Sequence, residues 1–170
     1  MPNYVTNILT VNGPAEEIKR FKDLAFGEED GEIVFDFEKI YPMPPTLHIT
    51  SGGHDSEAIV AYLTNNCEIA LSPIVKETAE HCGCTNMFDK EYVATSYERA
   101  KKMIQEEGRD KKYSFSSNGD DAYHMTLYDA GKVYVNNVLE YGHPTWYEWS
   151  IENWGTKWGC ETFITEKVMH

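Results

Sequence analysis

The strongest constraint on the fold of this chain is a tryptophan-rich segment, because all four of its tryptophans lie between positions 146 and 158. Thr145 and Glu148 have the spacing of a capping box at a helix N-terminus, and Gly155 is suited to the residue that follows a helix. A buried Trp removes on the order of 200 Å² of surface from water, which is worth several kcal/mol before entropy. The segment therefore predicts a short helix that contributes strongly to the core.

The apolar arc of this predicted helix is unusually wide. One stripe holds Tyr147, Ile151 and Trp154, and the neighbouring side holds Trp146, Trp149 and Asn153. In a structural interpretation, the four indoles form one cluster that fixes the helix between a sheet and inserted helices. In a functional interpretation, Trp146 and Trp149 stay partly exposed and form a binding surface with Asn153 and Lys157.

The start of the chain predicts a strand, a helix and a second strand. Apolar residues alternate with polar ones over residues 5–11, and Gly13-Pro14 then opens a helix for which Gly27 is a natural end. Alternation returns over residues 33–38, before a proline-rich stretch that cannot continue a ladder. These elements predict a small sheet with a helix packed on it.

The rest of the chain is predicted to be mostly helical up to residue 128. The predicted elements are a helix from Asp55 or Ser56, a helix from Ser72 to Gly83, a helix capped by Thr95 and ended by Gly108, and a hairpin or plain loop at Asn118-Gly119. Residues 129–141 fit a strand or a helix, and their length and Gly142 favour a helix. A strand is predicted over Cys160–Thr165. Together with the opening unit, this order indicates an α+β fold.

Several of these segments resemble one family. The run from Trp146 to Trp158 is similar to the hallmark of the YubB-type proteins of plasmids and phages, also known as Api-type phage proteins. Weaker matches lie in residues 7–13, 35–44 and 50–53. The resemblance implies a ferredoxin-like antiparallel sheet packed on helices, and it implies a gene carried on a mobile element. It brings no catalytic residues, and since relatives continue past the Trp motif, we expect a shortened member.

The resemblance and the length together predict one domain over residues 1–170. Within it, residues 1–45 and 129–170 are expected to form the α+β core. Residues 46–128 are expected to form a mostly helical insertion.

The formal net charge of −13 restricts the partners of this chain. Such a chain repels a phosphate backbone, so direct binding to nucleic acid is disfavoured. Acids are dense in one segment, with Glu28, Glu29, Asp30 and Glu32 close together and no cation between them. This segment is either a solvated surface or a surface that imitates phosphates and attracts a basic partner.

Two further clusters could carry chemistry. Ser51, Gly52, Gly53 and His54 could hold an anion at the start of the following helix, or they could form an ordinary loop with an Asp cap. Cys67, His81, Cys82 and Cys84 are soft metal ligands, but the Cys-x-Cys spacing is wrong for zinc. We therefore predict no metal and no cofactor. No nucleotide-binding or hydrolase motif is recognisable, and no catalytic residue is predicted.

The acidic charge balance, the missing catalytic motifs and the family resemblance together favour a binding protein over an enzyme. We find no apolar run of the roughly 20 residues needed to cross a bilayer and no signal peptide, so a cytoplasmic location in a host cell is expected. The first hypothesis is a phage or mobile-element protein that binds a host or phage protein, in its sharpest form an acidic inhibitor of a host defence nuclease. The alternatives are a small nucleic-acid-binding or regulatory module and an enzyme of unknown reaction. The oligomeric state is not predicted.

Overall fold

The computed structural model describes residues 7–29, 31–50, 52–64, 90–116 and 123–160. The chain divides into two compact units, one of Met1–Pro42 with Trp158–His170 and one of Met43–Lys157. The described residues form helices and two small antiparallel sheets, so the class is α+β, as the sequence predicts. None of the described helices is both long and apolar enough to span a bilayer.

The first unit contains a helix and a hairpin. Its elements are α1 (Ala15–Ala25), β1 (Phe26–Glu29), β2 (Glu32–Phe35) and the single-turn helix α2 (Phe37–Ile40). α1 begins after Pro14 as predicted, because the fixed φ of proline suits a helix start and its missing N–H costs nothing there. β1 and β2 pair antiparallel, with Phe26 opposite Phe35 and Glu29 opposite Glu32. The rings of Phe26 and Phe35 meet edge to face at 5.4 Å.

Three predictions for this unit are wrong. Residues 7–12 form no strand, and the Ile8 and Leu9 side chains are exposed. Gly27 does not end α1 but lies inside β1, where a Cβ atom would come within 2.8 Å of Asp36 Oδ2. The second strand stops at Phe35, because the Asp36 carboxylate accepts the Glu38 N–H at 2.9 Å and starts α2. The close approach at Gly27 and the helix cap at Asp36 therefore decide the local structure, although the apolar and polar residues alternate as in a longer strand.

The second unit is mainly helical. Its elements are a 3-10 turn (Pro45–His48), α3 (Asp55–Thr64), α4 (Lys90–Glu107), β3 (Lys112–Ser114), β4 (His124–Thr126), α5 (Leu127–Tyr141) and α6 (Trp146–Trp154). β3 and β4 pair antiparallel, which agrees with the hairpin interpretation of this region. The turn at Asn118-Gly119, the helix predicted over 72–83 and all but Cys160 of the strand over Cys160–Thr165 lie outside the described residues.

The helix ends of this unit test the capping predictions. α3 and α5 occur where they were expected, and α5 ends at Gly142 in the left-handed conformation. α5 starts two residues earlier than predicted, because the Thr126 hydroxyl accepts the Asp129 N–H at 3.1 Å. The prediction that Thr95 caps a helix is wrong, since α4 already begins at Lys90. A capping pattern can occur in a helix interior when the tertiary structure extends the helix.

The core of the second unit lies between α3, α5 and the β3–β4 hairpin. Tyr134 and Phe115 are completely buried there, and their rings meet edge to face at 6.1 Å. The Tyr134 hydroxyl donates to the Thr50 carbonyl at 2.9 Å. Burial raises the pKa of Tyr134 far above its ordinary value, and the Asp55 carboxylate raises it further. The protonated phenol, which can donate this hydrogen bond, is therefore favoured in the folded chain.

A buried carboxylate joins α3 to α4. The Glu57 side chain is almost inaccessible, and its Oε1 lies 3.6 Å from Nη1 of Arg99, whose side chain is largely exposed. A carboxylate this deeply buried is costly unless a cation or hydrogen bonds compensate it. The pair therefore fixes which faces of the two helices meet.

α3 and α5 approach each other most closely at Gly131. A Cβ atom at this position would lie 2.0 Å from the Ala58 carbonyl oxygen and 2.7 Å from Tyr62 Cβ. Because the first clash is with backbone, no rotamer change relieves it. A glycine inside a helix costs about 1 kcal/mol relative to alanine, so Gly131 is retained at this position for packing and not for helix propensity.

We predict that Gly131→Ala lowers the free energy of unfolding by about 2 kcal/mol or more, because overpacking outweighs the gain in helix propensity. Urea unfolding followed by circular dichroism measures this change. Lys132→Ala is the matched control, since Lys132 is exposed on the same helix and its loss should change stability by less than about 0.5 kcal/mol. An unchanged or increased stability of Gly131→Ala would show that the two helices do not meet at this glycine.

Candidate functional site

The Trp-rich segment forms the helix predicted from its sequence. The Thr145 hydroxyl accepts the Tyr147 N–H at 3.3 Å and donates to Glu148 Oε2 at 3.2 Å. Gly155 adopts the left-handed conformation after Trp154, and its N–H bonds to the Ile151 carbonyl at 3.1 Å. Both ends of α6 are thus capped by residues of the segment itself.

The buried side of α6 packs on the 3-10 turn, as far as the described residues show. Trp149 is 5% exposed and packs with Met43 and Leu47, while Trp146, Trp154 and Tyr141 lie around them partly buried. We call these six residues the Trp cluster. Within the Trp cluster, the rings of Trp149 and Trp154 meet edge to face at 5.4 Å. The predicted packing of this helix on a sheet is not found among the described residues, where the 3-10 turn supplies the apolar surface.

The orientation of α6 corrects the sequence interpretation in two places. Trp149, a candidate contact residue, is buried in the core. Ile151, which lies on the apolar arc of the predicted helix, is 45% exposed. Trp158 is 49% exposed, and the Trp cluster as defined contains the other three indoles. The apolar arc is so wide that periodicity alone could not identify its buried part.

The remaining candidates on this segment lie on its outer side. The exposed Asn153 donates through Nδ2 to the Trp149 carbonyl at 2.9 Å, one helical turn back. The Lys157 ammonium lies 5.3 Å from the centre of the Tyr147 ring, a cation–π distance. His143 Nε2 contacts Glu152 Oε2 across the start of α6. The outer side of α6 therefore carries both polar and aromatic groups. Trp146, the remaining candidate there, is only partly exposed.

Asn137 holds the Trp cluster in position, a role that the sequence analysis missed. It is 2% exposed on α5, and its Nδ2 donates to the Thr46 carbonyl at 2.9 Å and to the Pro144 carbonyl at 3.0 Å. One side chain therefore connects the 3-10 turn and the loop before α6 to the same helix. The available signal was a polar residue on the apolar stripe between Tyr134 and Tyr141.

Three of the four acidic candidates, at positions 28, 29 and 32, lie in the strands of the β1–β2 hairpin beside its turn. Glu28 is exposed, opposite Ile33, and the register pairs positions 29 and 32 next to a turn in which Gly31 has a φ of 82°. Asp30 lies outside the described residues. The sequence carries four formal negative charges within residues 28–32.

The predicted anion-binding loop already contains its own anion. The Gly52 N–H donates to Asp55 Oδ2 at 3.0 Å, and both Gly52 and Gly53 have positive φ. The His54 ring meets the Tyr113 ring edge to face at 5.3 Å. Ser51 lies outside the described residues. The described part of the loop corresponds to the alternative of an ordinary connection closed by Asp55.

The metal candidates Cys67, His81, Cys82 and Cys84 lie outside the described residues. Within the described ranges, no three His, Cys, Asp or Glu side chains are close enough together to hold a metal ion.

A second residue missed by the sequence analysis is Tyr113. Its hydroxyl oxygen is buried and has no hydrogen-bond partner among the described residues. Burial raises the pKa of this phenol, with a smaller contribution from Glu107. Nothing in its strand pattern distinguished it from an ordinary core-edge tyrosine.

The comparisons with known proteins add no relative. No family model, curated protein or solved structure matches the chain.

We predict that Asn137→Ala lowers the free energy of unfolding by about 2–3 kcal/mol, because it removes both hydrogen bonds of a buried side chain and leaves a cavity in its place. The emission maximum of the tryptophans should also shift to longer wavelength as the Trp cluster loosens. Asn136→Ala is the matched control, as its side chain is exposed one residue away, and it should change neither quantity appreciably. Equal effects of the two variants would refute the connecting role of Asn137.

Proposed function

We propose that this chain is a non-enzymatic binding protein that uses the acidic tip of its β1–β2 hairpin to contact a basic surface of another protein. The observation that carries the proposal is the placement of the acidic run. The register puts positions 28, 29 and 32 at the free end of a hairpin, next to a turn, instead of spreading them over the surface.

Electrostatics support a basic partner for this tip. The whole chain carries a formal charge of −13, so its field adds to that of the hairpin. Complementary charge raises association rates and selects partners more than it raises affinity. A nucleic-acid-binding channel is a basic surface of this kind, since it is built to neutralise phosphates.

The sharpest form of the proposal is an acidic inhibitor of a host defence nuclease, acting in the host cytoplasm and encoded by a phage or other mobile element. The mobile-element origin and the ferredoxin-like topology rest on the resemblance of the Trp-rich segment to YubB-type proteins. In this proposal the Trp cluster has a structural role in the second unit. Asn153 and Lys157, on the outer side of α6, are secondary contact candidates.

The test is a nuclease assay with a charge-neutralised hairpin. Labelled duplex DNA is incubated with host-cell extract and increasing amounts of protein, and its degradation is followed. We expect the protein to slow degradation, and we expect the quadruple variant Glu28→Gln, Glu29→Gln, Asp30→Asn, Glu32→Gln to be at least about tenfold less potent, because rim charges control association.

The matched control neutralises the same number of acids on and after α4, through Glu98→Gln, Glu106→Gln, Glu107→Gln and Asp110→Asn. It changes the net charge equally but leaves the hairpin intact, so it should inhibit almost as well as the unaltered protein. Equal loss in both variants would mean that only total charge matters. A gel shift of free DNA by the unaltered protein at low salt would favour the nucleic-acid-binding alternative.

A further inference from the structure

The two outer edges of the β1–β2 hairpin are not equivalent. The Asp36 N–H donates to the Ala25 carbonyl at 2.8 Å, so residues 25 and 36 form a hydrogen-bonded pair. Hydrogen-bonded and non-hydrogen-bonded pairs alternate along antiparallel strands. The backbone groups of Phe26 and Glu28 therefore point outward from β1, and those of Ile33 and Phe35 point outward from β2.

The edge of β1 is closed at its base. The Lys39 ammonium donates to the outward carbonyl of Phe26 at 2.5 Å and to the Asp23 carbonyl at 3.3 Å. A lysine at this place is a common device that prevents another strand from pairing with an exposed edge. Lys39 comes from α2, so the first unit itself closes this edge.

Within the part of the chain that the structure describes, the edge of β2 is open at Ile33. No hydrogen bond from another described segment reaches the Ile33 backbone, and its side chain is 56% exposed. Its outward N–H and C=O can together exchange two hydrogen bonds with one residue of an incoming strand. Adding a strand in this way is a common mode of peptide recognition.

The two faces of the hairpin near its tip have different character. Ile33 lies on the face that it shares with Glu28, its cross-strand partner, and the alternation of the strands places positions 29 and 32 on the other face. An incoming strand with the same alternation would bring an apolar residue beside Ile33 and basic residues to the face of positions 29 and 32. A second copy of this chain fits poorly, because both copies carry a charge of −13.

We propose that the outer edge of β2 at Ile33 is a docking site for an extended segment of the partner protein, in which lysine or arginine alternates with apolar residues. This inference rests on the proposed function, since it specifies which feature of the basic partner the acidic hairpin engages. Charge complementarity brings the segment to the tip, and the backbone of Ile33 fixes its register.

The test uses three synthetic peptides with blocked ends and measures their binding to the full chain by fluorescence anisotropy. The first alternates lysine and valine, the second is the same peptide with N-methylated backbone amides, and the third alternates glutamate and valine. We expect the first to bind. The second should bind at least about tenfold more weakly, because it has lost its backbone donors, and the third should not bind.

Two variants locate the binding on β2. Ile33→Pro removes the outward N–H at a position where an edge strand tolerates proline, and it should weaken the lysine–valine peptide about tenfold. Ile33→Thr keeps the backbone and β propensity, so it should retain most of the binding and remains informative if the proline variant does not fold. Circular dichroism of both variants establishes whether the fold is intact.

The outcomes separate this inference from the proposed function. Equal binding of the methylated and unmethylated peptides would overturn strand addition while leaving the acidic hairpin as a charge-guided binder. Failure of every lysine peptide to bind would contradict both. If sedimentation instead shows a dimer that Ile33→Pro dissociates, the edge serves a second copy and the inference is wrong.

Discussion

The contact between Gly131 and the Ala58 backbone is the constraint on which the second unit depends. Because the missing Cβ lets α5 lie almost on the carbonyl of α3, the two helices can share one core with the β3–β4 hairpin. A side chain at this point would separate the helices and open the space now filled by Tyr134 and Phe115. The close approach therefore sets how near the two helices lie to each other at this point.

Successive turns of α5 then distribute contacts along its length. Gly131 meets α3, Tyr134 bonds to Thr50, and Asn137 bonds to Thr46 and Pro144. Beyond them Tyr141 packs against the Trp cluster. α5 thus sets the positions of the segments that precede α3 and α6, and the Trp-rich helix is fixed through it.

Features coded by a few neighbouring residues could be predicted from the sequence. Pro14 before α1, Gly142 after α5, and Thr145 with Gly155 around α6 all act through local backbone geometry, so their residue types are sufficient evidence. The acidic run was recognised in the sequence, but its position beside a hairpin turn was not predicted. The reason is that the pairing register of β1 and β2 depends on the short turn between them.

Features set by tertiary contacts could not be predicted in the same way. Ile151 and Trp149 share a wide apolar arc, and only the position of Met43 and Leu47 decides which of them is buried. Gly27 had the signature of a helix end, but its role is to leave room for Asp36. Residues 7–12 alternate like a strand, yet alternation gives no strand without a partner edge. In each case the deciding atom belongs to a residue distant in sequence or across a turn.

The Lys39 ammonium has a consequence for the edges of the hairpin. It closes one edge by donating hydrogen bonds to the Phe26 and Asp23 carbonyls. Acetylation of Lys39 would remove its charge and two of its three donors and release the Phe26 carbonyl. The base of β1 would then offer an unpaired carbonyl as well, and a strand could pair on either side of the hairpin. A single lysine thus restricts strand addition to the β2 side.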